Sequence, residues 1–154
     1  MSHQRTATTH NIDRIVTHRF GKRSVKLSTC RHEFAHIAKH GVFDITLKAT
    51  GDLHIDQHHT IEDCGIGLGE AFAQALGDKA GLVRAGSAYM PLDEALAFSA
   101  IDLSGRPYAA LDLKLLGRER GGFAPDLLNH FLESFAFAMK ANMHVKVLSG
   151  VNDH

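Results

Sequence analysis

Two stretches carry residues whose types and spacing could do metal chemistry. The first is His32-Glu33-Phe34-Ala35-His36, an H-E-x-x-H. On a helix, residues four apart share a face, so His32 and His36 would meet one zinc ion with Glu33 placed to activate a bound water. Histidine is abundant here, 12 in 154 residues, and the pattern arises by chance in roughly one such sequence in thirty. The second stretch is "HIDQHHTIED", in which His58, His59 and Glu62 form an H-H-x-x-E. Glu62 lies one helical turn from both histidines, but His58 and His59 diverge by about 100° around the axis. Rings splayed so far suit two different ions, each needing donors from other segments or subunits. Exposed histidines at a helix start are the plainer alternative. Nitrogen and carboxylate donors without thiolate suit Mn(II), Fe(II), Zn(II) or Ni(II).

The elements that must position these residues follow from periodicity. "FAHIAKHG" is a helix stopped by Gly41, and "VFDITLKATGDLHID" a strand, a turn at Thr50-Gly51-Asp52 and a second strand. "HTIEDCGIGLGEAFAQALGDKAG" places Ile61, Ile66, Leu68, Phe72, Ala75 and Leu76 at helical spacing. "SAYMPLDEALAFSAIDLSGRPYAALDLKLL" reads as strands broken by Pro91 and by the Ser104-Gly105-Arg106-Pro107 turn. "PDLLNHFLESFAFAMKANM" is expected to be the longest helix, with Pro125 in its first turn, and "HVKVLSG" a last strand. The run from His32 to His58 and the run from His130 to His154 share a helix–strand–Asp–His layout, which predicts two diverged copies of one unit.

Composition narrows the classes. The chain is long enough for one domain with a real core, 44% of it is apolar, and its formal charge is zero. That balance gives no sign of a nucleic-acid binder or a polybasic membrane surface, and no apolar run reaches spanning length. Cys30 and Cys64 form no C-x-x-C, which fits a reducing, cytoplasmic setting. The first 24 residues hold five basic side chains against Asp13 alone, either a degraded transit peptide or a poorly packed N-terminus.

"GDLHIDQHHTIEDCGIGLGEAFAQALGDKAGLVRAG", "MPLDEALAFSAIDLSGRP" and "LLNHFLESFAFAMKANMHVKVLSGVNDH" resemble imidazoleglycerol-phosphate dehydratase, a lyase of histidine biosynthesis, from about His32 to His154. The resemblance implies an α+β fold of internally duplicated units, each a four-stranded sheet packed on helices (similar to domain 2 of ribosomal protein S5), with the second unit incomplete. Residues 1–31 would be a divergent or poorly ordered N-terminus. The dehydratase-like domain would cover 32–154, with a first repeat at about 25–90 and a second at about 91–154. By position the metal ligands fall on His32, His58, His59, Glu62, His130 and His154, with Glu62 also the candidate catalytic carboxylate. Arg84 and Arg106 fall on the substrate-binding arginines, where a guanidinium fork suits phosphate.

The resemblance further implies two Mn(II) per site at subunit interfaces and a homo-oligomer of twenty-four copies. The implied reaction removes water from D-erythro-imidazoleglycerol phosphate to give imidazoleacetol phosphate. The proton to be lost sits on a carbon beside an imidazole and is too weakly acidic to leave unaided, which explains a metal on the ring nitrogens. The sequence departs from the family pattern at Arg31, where an Asp is expected, and at the N-terminus, where no substrate-contacting Glu is visible. The chain also stops at His154, where the second copy would supply a further His and a Glu. Two alternatives therefore stand beside the lyase: a catalytically impaired metal-binding or assembly protein on the same scaffold, and an H-E-x-x-H metalloprotease.

Overall fold

The structure, a computed structural model, describes residues 11–12, 37, 39–41, 44–45, 47, 57–115 and 126–151. Its centre is a pair of helices, α1 (His58–Leu76) and α2 (Asp126–Met139), against a four-stranded sheet. The sheet is built from β3 (Ala85–Leu92), β4 (Ala95–Asp102), β5 (Tyr108–Asp112) and β6 (Asn142–Ser149), in the order β3-β4-β6-β5. β3, β4 and β6 pair antiparallel, while β5 and β6 run parallel. A parallel pair needs a crossover, and α2 lies in it between the two strands. Two short strands, β1 (Asn11–Ile12) and β2 (Asp44–Ile45), also pair in parallel. Helices and mixed sheet together make an α+β fold.

Residues at the expected helical spacing of α1 form the core. Ile61, Leu68 and Phe72 are buried with Cys64 and Ala71, and they meet Leu127, Phe131 and Met139 of α2. β6 alternates: Met143, expected from the sequence in the preceding helix, is buried toward the helices, while His144 is exposed. Cross-strand pairing then fixes the open face. Ala100 opposes His144, Phe98 opposes Lys146, and the Tyr89 ring meets Phe98 at 4.9 Å, tilted by 47°.

Two details correct the sequence reading. α1, at 19 residues, is longer than α2, at 14, because α2 does not run on to Met143 but stops at Lys140, which takes a left-handed φ of 56°. Pro91 does not break its strand. It pairs with Leu96 on β3, an edge strand, where a missing N–H costs no ladder bond. The chain turns instead at Asp93, with φ 49°. The expected turn at Thr50-Gly51-Asp52 lies outside the described residues.

Candidate functional site

α1 and α2 run side by side in the same direction. His58 meets His130, Gly65 lies against Phe131 and Ser134, and Gly69 against Phe135 and Ala138. The contacts advance in step along both chains, so the two N-terminal ends coincide, and the histidines gather there. The imidazoles of His58 and His130 are 4.2 Å apart between centroids, inclined at 60°. One turn on, a Glu62 carboxylate oxygen comes within 4.0 Å of His58 Nε2. Both side chains are partly exposed, His58 at 34% and Glu62 at 45%, so the group opens to solvent.

The His59 ring centroid is 5.9 Å from that of His58, with its plane turned by 84°, so the two adjacent rings meet edge to face. His32 and His154, with Glu33 and His36, lie outside the described residues. Among the described residues no three His, Cys, Asp or Glu side chains close round a single point. The donor chemistry nevertheless fits a divalent ion that prefers nitrogen and oxygen. Two imidazoles from neighbouring helices meet beside a carboxylate, and further donors must come from another segment or another copy.

The two arginines lie at the other end of the helix pair. Leu103 N–H donates to the Arg84 carbonyl at 2.9 Å, and Arg106 follows Gly105 in a turn where φ of 82° suits a glycine. That turn is pinned to the end of α2 by Gly105 N–H donating to the Lys140 carbonyl at 3.1 Å. Arg84 and Arg106 are thus brought to one loop cluster.

Two neighbours there were not visible in the sequence. Asp102 Oδ1 lies 2.7 Å from Arg84 Nε, and the Lys79 ammonium donates to the Leu103 carbonyl at 2.9 Å. The Asp102 oxygen is buried and accepts no aligned hydrogen bond, so the Arg84 contact is one of charge rather than direction. Only cross-strand register reveals such a partner, here the pairing of Ala85 with Asp102. A shallow cavity of about 350 Å³ lies on the open sheet face among Ser87, Asp102, Asn142 and His144, apart from the His58–His130 pair.

The family model for imidazoleglycerol-phosphate dehydratase matches residues 26–154. The chain belongs to the imidazoleglycerol-phosphate dehydratase family. Over 123 residues it is 50% identical to the dehydratase of Roseiflexus sp. and 51% to that of Lacticaseibacillus casei. Each match covers 80% of this chain, but the chain spans only 62% and 63% of the length of those relatives. Among solved structures, the dehydratase of Staphylococcus aureus superposes with a TM-score of 0.61 at 34% identity, covering 64% of this chain and 58% of that one. The enzyme of Pyrococcus furiosus gives 0.59 at 42%, covering 68% and 56%. Among the described residues no helix is long and apolar enough to cross a membrane.

Proposed function

We propose that the protein is a metal-dependent hydro-lyase that dehydrates D-erythro-imidazoleglycerol phosphate to imidazoleacetol phosphate in cytoplasmic histidine biosynthesis. The observation that carries this reading is the pairing of His58 with His130, with Glu62 one turn from His58, at one end of two parallel helices in a chain of this family. His58, His59, Glu62 and His130 would hold Mn(II), two ions per site, together with His32 and His154. Held by these residues, such an ion would supply Lewis-acid chemistry, which would acidify the C–H beside the substrate's imidazole and help the hydroxyl to leave. Arg84 and Arg106 would hold the phosphate through guanidinium forks. Glu62, whose carboxylate lies beside His58, would neutralise the ion and hold a proton near the ring.

Dimensions support sites shared between copies. From His58 to Leu76, α1 rises about 27 Å, and the Arg106 turn sits about 15 Å along α2 from His130. The substrate places its phosphate within about 10 Å of its ring, at ~1.5 Å per bond. The backbones of the imidazole-handling and phosphate-handling ends of one chain are thus separated by more than the substrate's own length, and two copies set end to end would shorten that distance. A homo-oligomer, of twenty-four copies by the family resemblance, fits that arrangement. The two-repeat organisation, with a first unit at about 25–90 and a second at about 91–154, belongs to the same proposal.

The test is growth without histidine of a bacterial strain lacking its own dehydratase. Growth that depends on His58 and His130 is expected. Metal binding by the purified protein without growth would point to the assembly-protein alternative, and growth unaffected by His58→Ala would overturn the site.

A further inference from the structure

Among the described residues, Gly65 and Gly69 are where α1 and α2 touch backbone to backbone. A methyl group on Gly65 would stand 2.6 Å from the Phe131 carbonyl oxygen and 3.0 Å from Ser134 Cβ. One on Gly69 would stand 2.6 Å from the Phe135 carbonyl oxygen and 2.7 Å from Ala138 Cβ. The obstruction in both cases includes backbone of α2, which cannot rotate out of the way as a side chain can. Non-bonded carbon and oxygen settle no closer than roughly 3.2–3.5 Å, so any side chain here displaces α2 by at least about half an ångström. Gly65 lies two turns from His58, and its contact Phe131 directly follows His130.

We infer that Gly65 and Gly69 are positioning residues of the site: their missing side chains set the helix separation at which His58 and His130 meet as one pair. The inference rests on reading His58 and His130 as metal ligands. Ligand-to-metal distances tolerate only about ±0.2 Å, less than the displacement a single methyl imposes. A glycine kept only for helix packing would matter to stability alone. A glycine that positions the rings matters to the metal beyond its effect on stability.

Co(II) reports the difference, because its visible absorption follows the ligand set. The full-length wild type, His58→Ala, Leu68→Ala and Gly65→Ala are titrated with Co(II) at a temperature where each is folded by circular dichroism. Leu68 is buried in the same helix interface at 4% exposure. Its truncation leaves a cavity and destabilises the fold without pushing the helices apart. The expected result is wild-type affinity and spectrum in Leu68→Ala, at least tenfold weaker binding with an altered spectrum in Gly65→Ala, and loss of the band in His58→Ala.

Wild-type binding by Gly65→Ala overturns the inference while leaving the ligand reading intact. Wild-type binding by His58→Ala removes the ligand reading, and the inference with it. If Gly65→Ala does not fold, Gly69→Ala carries the same readout, and failure of both to fold shows a role in packing alone.

Discussion

Replacing His58 by alanine removes one ring from the pair with His130 at 4.2 Å and the neighbour of the Glu62 carboxylate. Because His58 is one-third exposed, its loss should leave the melting temperature within a few degrees of wild type. Mn(II) affinity, measured by calorimetry, should fall by at least roughly tenfold; an unchanged affinity would remove His58 from the site. Asp102 makes a second prediction. Its pair with Arg84, 65% exposed, contributes at most about 1 kcal/mol to stability. Asp102→Asn should therefore barely shift the melting curve while weakening binding of inorganic phosphate several-fold, since the guanidinium loses its anchor. Equal phosphate affinity in both proteins would count against that role. The spacing of His58, His59 and Glu62 made the first turn of α1 legible from sequence, because residues one turn apart lie on one continuous helix. The partnership of His58 with His130 was reachable only through the family resemblance, and that of Arg84 with Asp102 was not reachable at all, because tertiary packing makes both.

Periodicity located α1, α2 and the strands of the sheet, since apolar spacing and burial are the same physical fact at Ile61, Leu68 and Phe72. It misjudged the end of α2, which it carried on to Met143 although that residue belongs to β6, and the strand at Pro91. Glycine is a poor helix residue in isolation, yet Gly65 and Gly69 sit inside the longer helix because another helix packs into the space they leave. Pro91 stays within its strand because that strand is an edge, which only sheet order discloses. Stability should follow these contacts. Leu68→Ala should cost about 2–5 kcal/mol by truncation in the core, read as a lower midpoint in urea with little change in slope. Gly69→Ala should cost about 1–3 kcal/mol by overpacking; a stability equal to wild type would show that α2 yields easily and that the close approach is not required.

Across the whole molecule, β3 is open on both faces. Tyr89 is 65% exposed on one side and the adjacent Met90 60% on the other, with Leu92 at 44%. A two-sided apolar edge strand invites association, in keeping with the proposed oligomer. Met90→Lys should leave the far-ultraviolet circular dichroism intact and shift the sedimentation coefficient toward that of a smaller species; an unchanged coefficient would place the subunit contacts elsewhere. The function itself is tested most directly by one assay. Purified protein loaded with Mn(II) is given D-erythro-imidazoleglycerol phosphate, and the ketone of imidazoleacetol phosphate is measured as it forms. The account predicts turnover that stops on chelation and is lost in both His58→Ala and His130→Ala. Turnover that persists without metal, or in either variant, would contradict it.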